Sequence, residues 1–338
     1  MLDLQGTLLL PEEIERLRHP ATGGLILFGR NYESPPQLMA LIADVRRVRP
    51  ELLIAVDHEG GRVQRFRDGF TRLPPAALYA QRFGADRSSL MTSLRQAGWL
   101  MAAELRAVDV DFSFAPVLDV DSGISHIIGD RSFSRNAEEA GDYALAFAEG
   151  MKQAGMAAVG KHFPGHGGVA QDSHLTLPED DRSYDELAER DLLPFRKLIQ
   201  QGLEGVMPAH VVYAAIDPNP AGFSTFWIKQ ILRDQLRFDG AVFSDDLSMA
   251  GAAFAGNCCE RAHRALAAGC DMVLVCNQPE AAGQVLESLE SRALPERQDR
   301  LVNMRGRLPI QREELLKSDR WRDAKNLVES INAEINNP

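Results

Sequence analysis

The stretch Leu52-Leu53-Ile54-Ala55-Val56-Asp57-His58-Glu59-Gly60-Gly61 decides the fold. Five apolar residues run without alternation, as in a strand buried on both faces. They give way at once to a carboxylate, an imidazole, a second carboxylate and two glycines. The same phrase recurs along the chain. Leu25-Ile26-Leu27-Phe28 runs into Gly29-Arg30-Asn31, Val110 to Leu118 into Asp119 and Asp121, and Met156-Ala157-Ala158-Val159-Gly160 into Lys161-His162. Gly205-Val206-Met207 runs into Pro208-Ala209-His210, Ala241-Val242-Phe243 into Ser244-Asp245-Asp246, and Met272-Val273-Leu274-Val275 into Cys276-Asn277. Met1 to Leu4 is the candidate first member of the series.

Between these runs apolar residues fall at helical spacing, over 36–48, 88–105, 138–154, 183–200, 226–236 and 260–268. Strand and helix alternate through the chain with no linker and no break in composition. That pattern predicts an α/β protein, a single (β/α)8 TIM-type barrel over 1–338, in preference to a doubly wound sheet. Residues 296–338 are charged and helical in period, and are expected as outer helices at the C-terminal end.

The 338 residues are 45% hydrophobic and carry 37 Lys and Arg against 48 Asp and Glu, a net charge of −11. This composition excludes a disordered chain. An acidic chain with no basic run is a poor partner for nucleic acid or an anionic membrane. The opening Met1-Leu2-Asp3-Leu4-Gln5-Gly6 has no basic segment of a secretory signal, and no apolar run approaches the ~18 residues a membrane span needs. Cys258, Cys259, Cys270 and Cys276 form no CxxC pair and read as reduced thiols. The expectation is a cytoplasmic monomer acting on a small molecule.

In a barrel of this kind chemistry sits at the carboxyl ends of the strands, where the polar clusters fall. The densest cluster is 160–174, with Lys161, His162, His166, Asp172 and His174 among several glycines. Gly155-x-x-x-x-Gly160-Lys161 imitates a phosphate loop, but His162 stands where Ser or Thr must bind magnesium. His162 and His166 have zinc-ligand spacing, but Pro164 and Gly165 break the helix that spacing needs. Lys161 at a strand end suits a Schiff base, as in barrel aldolases. Asp172 and His174, two apart on an extended loop, suit an acid/base dyad in which the carboxylate holds one ring nitrogen and the other exchanges a proton. His166, beside glycines, reads as a brace for the loop. Of the adjacent carboxylates Asp245 and Asp246, alternation aims Asp245 at the barrel mouth and leaves Asp246 as an anchor. Asp57 and the nearby arginines suit a polyhydroxylated ligand, whereas Arg62, Arg67 and Asp68 read as surface charges.

Taken together, Asp57-His58-Glu59-Gly60-Gly61-Arg62-Val63-Gln64-Arg65, Gly129-Asp130-Arg131-Ser132-Phe133, Lys161-His162-Phe163-Pro164-Gly165-His166-Gly167, Asp172-Ser173-His174 and Ser244-Asp245-Asp246-Leu247-Ser248-Met249 closely resemble the family 3 glycoside hydrolases. Within them the chain resembles the bacterial β-N-acetylglucosaminidases of cell-wall recycling, in their short single-domain form. The resemblance runs from Leu2 to about Asn277. It implies that Asp245 is the nucleophile, His174 the acid/base and Asp172 its partner. It implies that Asp57, Arg65, Arg131, Lys161 and His162 hold the N-acetylglucosamine unit, with no metal or cofactor. The substrate implied is a muropeptide of the N-acetylglucosamine–1,6-anhydro-N-acetylmuramic acid type. A β-glucosidase or β-xylosidase of the same family, a Lys161 lyase and an inactive sugar-binding barrel remain the alternatives. Glycines between Phe163 and His174 lead to the expectation that this loop moves when sugar binds.

Overall fold

Seven of the apolar runs form strands: β1 Gly24–Leu27, β2 Leu53–Val56, β3 Phe112–Ser113, β4 Val159–Phe163, β5 Gly205–Pro208, β6 Ala241–Asp246 and β7 Met272–Leu274. The computed structural model describes residues 1–171, 173, 176–289 and 295–335. β1 pairs in parallel with β2, and β2 with β3. Past β3 the chain continues the wall: Val117 bridges Lys161, while the Val159 and Leu118 amides donate to Ala115 and Lys161 carbonyls. β4 pairs with β5, β5 with β6 and β6 with β7, all in parallel. The opening dipeptide closes the circle. Leu2 bridges Leu25, and the Met1 ammonium donates to the Val273 carbonyl at 2.7 Å. Seven strands and this dipeptide therefore form a closed (β/α)8 ring, and their carboxyl ends share one mouth.

Phe112, Phe114 and Phe243 pack against one another with ring centroids 5.2–5.5 Å apart and are fully buried. At the amino ends of the strands Arg46 holds Asp109 and Asp111, both at 2.9 Å. There Arg233 and Arg300 also converge on Asp271, at 2.8 and 3.2 Å. These pairs seal the end away from the mouth.

The outer helices begin where the sequence supplies a cap. Ser34, Asp86, Asn136, Ser183 and Asn257 each accept a hydrogen bond from a first-turn amide. One expected helix is divided: 183–200 becomes Tyr184–Glu189 and Leu192–Gln200. The division falls at Arg190 and Asp191, whose side chains turn inward. Arg190 donates to the Asp121 carbonyl at 3.0 Å, and Asp191 receives Arg182 at 2.7 Å. Helix Asp319–Ile335 lies against helix Arg87–Arg106, with Trp321 Nε1 donating to Glu104 at 2.8 Å. No helix of the described residues is long and apolar enough to cross a membrane.

Candidate active site

Alternation beyond β2 sends Asp57 and Glu59 to the mouth and His58 into the core. His58 is buried against Phe66 and Phe70, and burial, helped by the Arg65 charge, pushes its pKa down to about 3. It is a neutral core residue. Asp57 and Glu59 meet Lys161 from β4: its Nζ lies 2.8 Å from Asp57 Oδ1 and 2.6 Å from Glu59 Oε1. Arg131 grips Glu59 with two N–H···O bonds of 2.8 Å. Arg65 reaches Asp57 at 3.4 Å, and its buried Nε has no hydrogen-bond partner among the described residues.

Burial opposes the charges on Asp57 and Glu59, but the cations around them outweigh it and hold both carboxyls below their usual range. Burial likewise opposes the Lys161 ammonium, and the two carboxylates raise its pKa in spite of it. A Schiff base requires the free amine, so an ammonium clasped by two carboxylates argues against the lyase alternative. The Lys161 and Glu59 side chains are 3% and 8% exposed, whereas Asp57 and Arg65 are 20% and 33% exposed. The outer pair is therefore open to the mouth and the inner pair supports it.

His162 follows Lys161 across a cis peptide and pairs Nδ1 with Asp119 Oδ2 at 2.7 Å. Asp119 is fully buried and also accepts the amides of His162 and His166. Despite the burial, its pKa is lowered by these partners. His166 is buried, its ring lies 5.9 Å from that of His162, and neither of its ring nitrogens has a hydrogen-bond partner among the described residues. Burial, then the His162 charge, lowers its pKa. Residues 163–168 are pinned rather than loose. Tyr213 donates to the Gly165 carbonyl at 2.8 Å, Ser122 donates to that of Gly167, and a Cβ on Gly167 would strike the Val120 carbonyl.

At the end of β6 the two adjacent aspartates divide their tasks. Asp246 accepts from the Ser248 amide and hydroxyl at 2.9 and 2.7 Å and from the Cys276 amide at 3.1 Å. Burial pushes its pKa up to about 6. It fixes the turn. Asp245 is half-buried, accepts the Asp246 amide at 2.8 Å, and exerts its charge on His166 and His210, favouring protonation of both. His210, just past β5, is buried, stacks on Phe223 at 5.6 Å and pairs Nε2 with the Asp246 carbonyl at 3.1 Å.

The structure thus joins Asp57, Arg65, Arg131 and Lys161 in one network. His162 follows Lys161 in the chain, and Asp245 acts electrostatically on His166, whose ring lies against that of His162. Asp172 and His174 lie outside the described residues; Ser173, between them in sequence, is described and buried. Glu59, Asp119 and His210 escaped the assignment of roles from sequence. Each stands just past an apolar run, so the strand-end pattern already marked it. Arg62 and Asp130, 3.9 Å apart, are half-exposed surface charges.

The chain is similar to known proteins over nearly its whole length. A β-hexosaminidase of Methylococcus capsulatus is 62% identical over 333 residues, which is 98% of this chain and 99% of that one. NagZ from Neisseria gonorrhoeae superposes with a TM-score of 0.93 at 45% identity, over 98% of this chain and 96% of that one. Its complex with N-trifluoroacetyl-D-glucosamine superposes equally well, with a TM-score of 0.93. Residues 6–304 match the glycosyl hydrolase family 3 N terminal domain. The chain belongs to glycosyl hydrolase family 3.

Proposed function

We propose that the chain is a retaining exo-β-N-acetylglucosaminidase that removes the non-reducing N-acetylglucosamine from cell-wall muropeptides of the 1,6-anhydro-N-acetylmuramic acid type. One observation carries this reading. A half-buried strand-end carboxylate, Asp245, shares the barrel mouth with the Asp57–Lys161–Glu59–Arg131 network. The β-hexosaminidase relatives and the neighbour that binds an N-acyl glucosamine support the choice of sugar.

A glycosidic bond breaks through an oxocarbenium-like transition state. Asp245 attacks the anomeric carbon and forms a covalent glycosyl-enzyme as the bond to the leaving oxygen breaks. His174 gives its proton to that oxygen. It then removes a proton from the incoming water, which attacks the same carbon, frees Asp245 and leaves the product in the β configuration. Asp172 holds the His174 ring and offsets its positive charge. Asp57 and Arg65 receive the sugar hydroxyls, Lys161 and Arg131 keep Asp57 and Glu59 ionised and in place, and His162 closes the same pocket from the Asp119 side. Protonated, the His174–Asp172 dyad carries no net charge, and it carries one negative charge once its proton has passed to the leaving oxygen. The same reading makes the enzyme a cytoplasmic monomer that needs no metal or cofactor.

The test is hydrolysis of p-nitrophenyl N-acetyl-β-D-glucosaminide against the matching glucoside and xyloside, with the product anomer resolved by NMR. The proposal expects strong preference for the N-acetyl sugar and the β anomer as first product. An α anomer as first product, or equal rates on the glucoside, overturns it.

A further inference from the structure

Arg65 is held only loosely by its own side chain. Its guanidinium makes one long bond to Asp57, at 3.4 Å, and lies 5.7 Å from the Phe28 ring centroid. Its place is therefore set by the backbone on either side. Gln64 and Phe66 are both buried, and the Gln64 side chain spans the loop they belong to. Its Nε2 donates to the Phe66 and Thr71 carbonyls, and its Oε1 accepts the Leu73 amide, all at 3.0 Å. Arg65 thus rides on a loop, 64–73, tied from within by one side chain.

The outer edge of this loop is held by a remote part of the chain. Each of residues 69–72 is tied, directly or through Glu104, to the C-terminal segment 312–332. Arg312, at the start of helix Arg312–Lys317, donates to the Gly69 carbonyl and lies over the Phe70 ring at 5.2 Å. Glu104, 2% exposed on helix Arg87–Arg106, joins Thr71 to Trp321. Its Oε2 accepts the Thr71 amide at 2.8 Å, and its Oε1 accepts the Thr71 hydroxyl at 2.7 Å and Trp321 Nε1 at 2.8 Å. Asn332 donates to the Arg72 carbonyl. Trp321 and Asn332 are eleven residues apart on helix Asp319–Ile335, about three turns, so both project from one face. A buried carboxylate is costly unless it is hydrogen-bonded. Here the compensating donors come from the loop and the C-terminal helix together, so neither can shift without stranding Glu104. These holds come from residues beyond 304, where the match to the family domain ends.

We propose that the C-terminal segment is part of the sugar site: Trp321, acting through Glu104 and Thr71, is a positioning residue that sets Arg65 against the sugar. The proposal rests on the sugar-contacting role given to Arg65 above. Trp321 acts at a distance from the reacting atoms, so its effect belongs in sugar binding and not in the chemical steps.

The test compares wild type with Trp321→Phe, Glu104→Gln, Arg65→Ala, the Trp321→Phe/Arg65→Ala double variant, and Asn326→Ala as an exposed control on the same helix. Trp321→Phe keeps an aromatic ring and drops the N–H. Glu104→Gln keeps the shape but sets an amide donor against donors. The readouts are the inhibition constant of N-acetylglucosamine and kcat on p-nitrophenyl N-acetyl-β-D-glucosaminide. Trp321→Phe and Glu104→Gln are each expected to raise the inhibition constant ~3–30-fold, the range of one weakened hydrogen bond from a charged group, with kcat within about threefold. Asn326→Ala should match wild type. The double variant should bind N-acetylglucosamine no more weakly than Arg65→Ala, as expected when one residue acts through the other. A helix that only adds stability would lower kcat through an unfolded fraction and leave the inhibition constant unchanged. That pattern, an equal loss in Asn326→Ala, or losses that multiply in the double variant overturn the proposal. If Arg65→Ala leaves the inhibition constant unchanged, the sugar-contacting role fails and takes this inference with it. Weak binding in Arg65→Ala beside normal binding in both Trp321→Phe and Glu104→Gln sinks the inference alone. Should these variants not fold, the wild type decides by reciprocity. Saturating N-acetylglucosamine must slow hydrogen exchange at the Trp321 indole N–H at least ~3-fold, and an unchanged rate refutes the coupling.

Discussion

Replacing Lys161 with Met removes the charge at the centre of the site and leaves its volume nearly unchanged. At an effective dielectric of about 20, each ammonium–carboxylate contact, at 2.8 Å to Asp57 and 2.6 Å to Glu59, is worth about 6 kcal/mol of gross attraction. Desolvation of the buried charges consumes several kcal/mol of that sum, so the expected net cost of the broken pair is about 3–5 kcal/mol at neutral pH. The loss falls unevenly. Glu59 keeps its two bonds to Arg131, whereas Asp57 keeps only Arg65 at 3.4 Å. The pH dependence follows from the signs. In the wild type both carboxyls lie below their usual range. Each therefore adds stability above its unfolded pKa, near ~4, and that stability is lost as pH falls through the folded value. In the variant, buried Asp57 without its ammonium titrates above its unfolded pKa, so the variant weakens as pH rises. The stability gap between the two proteins should be largest at about pH 7.5 and shrink by about half or more near pH 4.5. Denaturant unfolding followed by tryptophan fluorescence at both pH values measures it. A gap that stays constant, or widens in acid, refutes the electrostatic account of this network.

Three further outcomes are expected. Asp245→Ala should abolish turnover of p-nitrophenyl N-acetylglucosaminide while calorimetry still detects N-acetylglucosamine binding; activity near wild type removes Asp245 from the chemistry. His174→Ala should slow alkyl glycosides at least ~10-fold more than dinitrophenyl ones and flatten the alkaline limb of the pH–rate profile, and an unchanged profile contradicts its role. Gly167→Ala, whose new methyl meets the Val120 carbonyl, should lower stability by ~1–3 kcal/mol in thermal unfolding, and a neutral effect shows that 163–168 is not pinned.

The barrel was readable from sequence because a strand buried on both faces has to be a continuous apolar run, and each run here stops where water and ligand begin. Asp57 and Lys161 were readable for the same reason, since their positions past Val56 and Val159 place them at the mouth. The split of 183–200 was not, because the inward turn of Arg190 and Asp191 answers to Asp121 and Arg182, partners remote from the helical period. His58 illustrates the converse. It sits inside the most functional-looking stretch, yet alternation delivers it to Phe66 and Phe70. The network that keeps Asp57 ionised needed the structure, because charge pairing between Glu59, Lys161 and Arg131 spans more than a hundred residues of chain and leaves no local trace.

The whole mechanism turns on which group attacks the sugar. Incubation with a 5-fluoro N-acetylglucosaminyl fluoride, which forms the glycosyl-enzyme faster than water releases it, followed by proteolysis and mass spectrometry, reads that group directly. One sugar adduct on the peptide containing Asp245, localised to that side chain and absent from Asp245→Asn, is the predicted result. An adduct on Asp246, Asp57 or any other residue, or steady hydrolysis of ordinary substrates with inversion and no adduct, contradicts it.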